Sequence, residues 1–182
     1  VIGETDLRSG SNEHVEFKNG TVGWKSEFSH DSEKTEAGYY SVNLERYGIL
    51  AEVTSDVHSG MLRFTYPEKK QAKIIMNFSR RIGGKADFEE IKIVNENTIE
   101  GKIICTPKGG GFGHGHGKIF YDFYFTCELS QKPLKTQFFS NEELQDEDLT
   151  EFSHEDIGLI LDFGKAVTEP IVLKCGISYT SL

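Results

Sequence analysis

Apolar positions along this chain recur in short, alternating runs of the kind that pleated strands require. Runs at 39–44, 49–53, 61–66, 72–78, 98–105, 118–129, 134–139, 158–163 and 171–179 are rich in Ile, Val, Phe, Tyr and Thr. Branched and aromatic side chains of this kind fit a pleated, half-buried surface. Gly, Asn, Pro or charged clusters separate the runs at the spacing of a β-sandwich. No window carries the i, i+3, i+4, i+7 stripe with caps that a long helix needs. The pattern predicts an all-β protein built as a large antiparallel β-sandwich. Its longest strand is expected at 119–129, where Phe120, Tyr121, Phe123, Tyr124 and Phe125 make both faces aromatic. Such a strand reads as central and buried on both sides.

Two segments interrupt the pattern. Residues 108–118 contain six glycines in eleven positions, which give up too much chain entropy to sit inside a regular element. His114 and His116 in that segment suggest a metal pair, but two imidazoles without a third ligand make a weak site. The segment also lacks the Gly-Lys-Ser/Thr that opens a phosphate-binding helix, so a glycine hairpin is the preferred reading. Residues 141–156 hold eight acidic side chains and no Lys or Arg. They lack the ligand spacing of a calcium-binding EF-hand loop and read as a solvated loop or short irregular turn. No internal repeat or linker divides the chain, so residues 1–182 are expected to form one domain.

Charge and cysteine usage narrow the function classes. The formal charge is −9, with no basic run, and phosphate backbones are held by clustered Lys and Arg. A nucleic-acid partner is excluded on that ground, as is docking to an anionic membrane surface. No apolar run approaches the roughly 20 residues needed to span a bilayer, so no membrane insertion is expected. The first six residues do not resemble a signal peptide. Cys105, Cys127 and Cys175 are far apart and each lies in an apolar, strand-like run. The preferred reading is three small buried side chains; one disulfide with an odd thiol stays open if two of those strands are neighbours. Trp24, the single tryptophan, is read as a core or interface anchor.

The densest candidate chemistry lies at residues 28–42, FSHDSEKTEAGYYSV. Gly38 supplies a backbone conformation closed to other residues, and the turn it permits places His30, Asp31 and Glu33 at the rim of a sheet. Tyr39 and Tyr40 begin the following strand. Aromatic faces pack against the C–H surfaces of a pyranose, while carboxylates and imidazoles take hydroxyl hydrogen bonds. Alternation sends the two tyrosines to opposite faces, so one of them is expected in the core. Two readings remain for this group: holding the loop or packing against another domain, and direct contact with a sugar.

The same residues resemble the N-terminal β-sandwich domain of family 92 glycoside hydrolases, whose loop reads approximately FSH-D/N-x-E-x-A-x-PGYYSV. Residues 48–54, GILAEVT, are similar to the family's GI-x-AELT, and residues 62–67, LRFTYP, to its HRYTFP. Residues 171–181, IVLKCGISYTS, are similar to its VLVKVGISYVS. Glu36 and Ala37 stand where the family has a small residue and Pro, which implies a less rigid turn, and Leu62 replaces a His.

The resemblance implies a supersandwich of the galactose-mutarotase-like kind. It also implies that residues 1–182 are a fragment of a putative exo-acting α-1,2-mannosidase, inverting and calcium-dependent. In that family the catalytic carboxylates and calcium ligands belong to a C-terminal (α/α)6 barrel, absent here. The chain is therefore expected to hold no catalytic residue and no metal, and to be inactive alone. His30, Asp31, Glu33, Tyr39 and Tyr40 are its expected substrate-binding residues. The implied partners are a mannose-containing glycan, such as an N-glycan, and the intramolecular catalytic domain, in a secreted, periplasmic or cell-surface parent. The alternative is a free-standing carbohydrate-binding or structural β-sandwich module.

Overall fold

The computed structural model describes residues 24, 26–81, 84–106 and 120–182. The glycine-rich segment, with His114 and His116, lies outside them. The described strands are β1 (Lys34–Glu36), β2 (Tyr39–Leu44), β3 (Ile49–Ser55), β4 (Ser59–Thr65), β5 (Ala72–Asn77), β6 (Arg80–Arg81), β7 (Gly84–Lys85) and β8 (Phe88–Asn95). They continue with β9 (Thr98–Cys105), β10 (Tyr121–Leu129), β11 (Lys135–Ser140), β12 (Glu143–Leu144), β13 (Glu151–His154), β14 (Ile157–Gly164) and β15 (Ile171–Ser178). A nine-stranded sheet runs β1-β2-β3-β4-β15-β10-β9-β8-β13, and a four-stranded sheet runs β12-β11-β14-β5. Their pairings are antiparallel. The described residues thus form the all-β antiparallel sandwich that the pattern predicts.

Alternation divides the large sheet into an apolar inner face and a polar outer one. Phe64, Leu173, Phe125, Ile99 and Ile91 are buried on the inner face, against Phe138, Leu159 and Leu161 of the small sheet. Strand β14 carries the densest burial: Ile157, Gly158, Leu159, Ile160 and Leu161 are all buried. Gly158 is required there, because a Cβ at that position falls 2.0 Å from the Phe139 ring of its neighbour strand. Trp24 packs against the same phenylalanine, ring centroids 6.3 Å apart.

Several expectations are corrected. Strand β10 is the longest described, at nine residues, but it is not buried on both sides. Phe125, Cys127 and Leu129 face the core, whereas Glu128 on the other side is exposed. Strand β8 was not foreseen, because Glu89, Glu90 and Lys92 interrupt its apolar run; it pairs with β9 through a tight hairpin. The acidic 141–156 segment is more than a solvated loop: it contributes β12 and β13, and β13 closes the edge of the large sheet against β8. Backbone pairing and the half-buried Phe152, packed against the core, outweigh the polarity of its neighbours.

The cysteines divide. Cys127 and Cys175 are register partners on β10 and β15, Cα atoms 4.2 Å apart, and form a disulfide. Cys105 is a buried free thiol, as the small-side-chain reading has it. The small sheet leaves part of the large one uncovered. Beyond its edge strand β5, Leu62, Ile103, Phe123, Cys175 and Ile177 are half-buried and line an apolar groove of about 460 Å³.

Two outcomes are expected. The Cys127–Cys175 bond spans 48 residues of sequence, and by restricting the unfolded chain a cross-link of that span contributes about 2–4 kcal/mol. Denaturant unfolding with and without reductant measures the difference, and thiol titration of the denatured, unreduced chain should detect Cys105 alone. Gly158→Ala forces a methyl into the Phe139 ring and should cost about 1–3 kcal/mol, read as a lower unfolding midpoint with an unchanged denaturant slope.

Candidate functional site

The sequence-predicted group is built on a capped turn and a hairpin. The Ser29 hydroxyl accepts from the Asp31 N–H at 3.2 Å, and the Ser29 carbonyl accepts from the Ser32 N–H at 2.9 Å. These bonds close one 3-10 turn over His30–Ser32. The chain then enters β1 and reverses at Ala37-Gly38, where Gly38 has φ +75. Three β1–β2 residue pairs follow, and the Thr54 hydroxyl donates to the Gly38 carbonyl at 2.6 Å. The turn is thereby fixed without the proline that the family motif carries.

Tyr39 and Tyr40 point to opposite faces, and each hydroxyl donates to a carboxylate. Tyr40 reaches Glu33 at 2.5 Å on the inner-face side. His30, through Nδ1, contacts the other oxygen of Glu33, and its exposed ring meets the edge of Phe28 at 5.7 Å between centroids. The Tyr40 hydroxyl, then His30, hold the Glu33 carboxyl below the ordinary carboxylate range, and the same bond raises the Tyr40 phenol. Asp31 is exposed and contributes its backbone N–H to the turn.

On the outer face, Tyr39 donates to Glu52 at 2.7 Å. Arg63 grips that carboxylate with two donors, Nε at 2.6 Å and Nη2 at 2.5 Å. Glu52 is buried at 7% exposure, whereas the Arg63 side chain is 52% exposed. The guanidinium is the largest influence holding Glu52 below its ordinary range; Tyr39 helps and burial opposes it. Tyr39, Glu52, Val53, Thr54, Met61 and Arg63 line a hollow of about 170 Å³.

The five predicted residues therefore do not converge on one pocket. His30, Glu33 and Tyr40 form one cluster, Asp31 stands beside it on the turn, and Tyr39 belongs to another cluster across the sheet. Neither tyrosine is core: both lie at the start of β2 and stay only partly buried, whereas Val42 and Leu44 further along the strand turn to the core. Glu52 and Arg63 were missed although both lie within the GILAEVT and LRFTYP blocks. Their signal was opposite charge at directly paired positions, Glu52 on β3 and Arg63 on β4, which only a known register reveals. Among the described residues, no group of three or more His, Cys, Asp or Glu is placed to hold a metal ion.

Replacing Arg63 by Leu leaves Glu52 buried without its cation. The half-exposed position lets water replace part of the lost bond, so a loss of about 1–3 kcal/mol is expected. The sign with pH follows from a carboxyl whose folded value lies below the ordinary 4.5. Its stabilisation is complete above that value and disappears as pH falls through the lowered one. Acid unfolding below about pH 4.5 should therefore be shallower in Arg63→Leu than in the parent chain, compared by denaturant titration at pH 3 to 6.

The fold and these motifs have counterparts among known proteins. The family model for the glycosyl hydrolase family 92 N-terminal domain matches residues 5–178. A family GH92 alpha-mannosidase from Bacteroides thetaiotaomicron superposes with a TM-score of 0.75 and 29% identity, over 87% of this chain and 21% of that one. The same enzyme in complex with mannoimidazole also gives a TM-score of 0.75, at 29% identity, over 87% of this chain and 20% of that one. A family GH92 inverting mannosidase from the same bacterium gives a TM-score of 0.68 at 18% identity, over 86% of this chain and 19% of that one; that likeness shows the fold alone. No curated protein matches the chain. The chain thus spans about a fifth of the length of these mannosidases. With a match over nearly all its residues, on a sandwich of the same architecture, the chain belongs to the glycosyl hydrolase family 92 N-terminal domain family.

Proposed function

We propose that this chain is the non-catalytic N-terminal domain of an exo-acting α-1,2-mannosidase, inverting and calcium-dependent, and that it forms one wall of the mannoside cleft. The observation that carries the reading is the family match over residues 5–178 together with the shared fold of an α-mannosidase. General acid, base and calcium ligands then belong to a C-terminal catalytic domain, the intramolecular partner. The substrate is a mannose-containing glycan, an N-glycan among them.

The sugar-facing group is the rim of the β1–β2 hairpin. Glu33, held ionised by Tyr40 and His30, is an acceptor for sugar hydroxyls, and the exposed His30 and Asp31 offer further polar contacts beside it. Tyr39 is tied to Glu52 and Arg63 on the opposite face and braces the strand from which Tyr40 projects. The apolar groove beside β5 is a surface for packing against the rest of the protein. The Cys127–Cys175 disulfide fits an oxidising compartment, in keeping with a secreted, periplasmic or cell-surface parent.

The test is the complete protein assayed on aryl α-mannoside and α-1,2-mannobiose. Activity should be abolished by a chelator and restored by calcium. Glu33→Gln and Tyr40→Phe should each lower kcat/KM about 10-fold or more, the scale of a hydrogen bond to a charged group, with the unfolding midpoint nearly unchanged. The 182-residue chain alone should be inactive. A complete protein without α-mannosidase activity overturns the reading, and saturable mannose binding by the isolated chain, followed by Trp24 fluorescence, would favour a binding module instead.

A further inference from the structure

Outside the β1–β2 hairpin, one ionisable side chain is placed where a folded protein rarely leaves one. Glu89 projects from β8 toward the small sheet and is fully buried, at 0% exposure. One carboxylate oxygen accepts from the Ile157 N–H at 2.9 Å, at the first residue of β14. The other oxygen, Oε1, is buried without a hydrogen-bond partner. This is also the point where the chain passes from the large sheet to the small one: β13 pairs with β8, and after two intervening residues β14 begins in the other layer. Asp156, at φ +62, makes the passage.

The turn beside Glu89 supplies negative charge. Among the described residues, the turn between β13 and β14 contributes Glu155 and Asp156, whose charges both disfavour an ionised Glu89. Lys85 of β7 brings a cation to this turn and reaches Asp156 at 3.2 Å. The Ser79 hydroxyl, itself buried, donates to the other Asp156 oxygen at 2.5 Å. On β13, His154 stands opposite Glu89 in register, and its Nδ1 lies against Ser140 and the Glu155 carbonyl. On β9 the facing residue is Ile103. Asp87, just before β8, accepts from the Thr106 N–H.

We propose that Glu89 is a proton-operated clamp on the passage between the two sheets: neutral, it ties β8 to the start of β14, and ionised, it loosens that junction. A neutral carboxyl is far cheaper to bury than a carboxylate lacking a counter-charge. Burial is the largest influence, pushing the carboxyl from 4.5 up to about 7 with the charges of Asp156 and Glu155, against the backbone N–H groups of Ile157 and Asp156. The folded chain therefore holds a proton that the unfolded chain releases. The stabilisation is complete below the unfolded value near 4.5 and is lost as pH rises through about 7, the reverse of the Glu52–Arg63 pair.

The experiment compares the parent chain with Glu89→Gln, a neutral side chain of the same shape, by denaturant unfolding between pH 5.5 and 8. From pH 8 to pH 5.5 the parent's folding equilibrium constant should rise on the order of 30-fold. Glu89→Gln should lose most of that slope and be the more stable protein at pH 8. The protection of the Ile157 amide against hydrogen exchange, corrected for intrinsic rates, should fall with rising pH in the parent and stay level in the variant. A carbon-detected NMR titration of the parent decides the matter even if Glu89→Gln does not fold. A Glu89 carboxyl titrating below pH 5.5, or a variant that keeps the parent's slope, overturns the proposal.

Discussion

The contact between β14 and the inner face of the nine-stranded sheet is the constraint on which the rest of this domain depends. Five consecutive residues of β14 are buried, so the strand is covered on both faces and its neighbours must complement it. Leu159 and Leu161 close the core against the large sheet, and on the other side Phe139 lies over a position that admits only Gly158. Interiors packed at this density leave no room for slippage. A shift of one residue would turn every side chain of the strand to the wrong face. The register of β14 therefore also fixes where β11 and β5 lie beside it.

Polar groups are held at the margins of that contact rather than within it. Glu52 lies buried on the outer face, satisfied by Arg63 and Tyr39 from adjacent strands. Its charge is compensated, and its carboxyl accordingly falls below the ordinary range. Glu89 lies at the opposite end of the large sheet, buried against β14 with one oxygen unsatisfied, and its carboxyl is raised. Two glutamates on one sheet thus respond to pH in opposite directions. The difference lies in the guanidinium that grips Glu52, where Glu89 among the described residues is met by backbone N–H and like charges.

The hairpin that carries His30, Glu33 and Tyr40 stands apart from the compact core. Its strands lie at the end of the large sheet, and His30, Glu33 and Tyr40 satisfy one another while Val42 and Leu44 further along β2 pack inward. A rim of that kind keeps a carboxylate ionised and oriented while the neighbouring His30 and Asp31 stay exposed. The Cys127–Cys175 bond ties β10 to β15 near the middle of the same sheet.

Amino-acid order alone determined what depends on nearest neighbours along the chain. The strands near 39–44, 49–53, 98–105 and 171–179 were legible because apolar inner positions alternate with polar outer ones, and the FSH loop was legible through its turn glycine and clustered polar residues. Strand β8 was hidden because Glu89 occupies an inner position that a pattern reads as a break, and β13 because a single Phe152 lies among acidic residues. Register, by contrast, is a property of two strands at once. Only the tertiary structure decided that Cys127 meets Cys175, that Glu52 meets Arg63, and that Tyr39 and Tyr40 serve separate clusters. The physical reason is that alternation assigns a side chain to a face, whereas burial and partners depend on what the opposing layer covers. The four-stranded sheet covers the inner positions of the large sheet around Phe64, Leu173 and Phe125, while Tyr39 and Tyr40 stay only partly buried near its β1–β2 end.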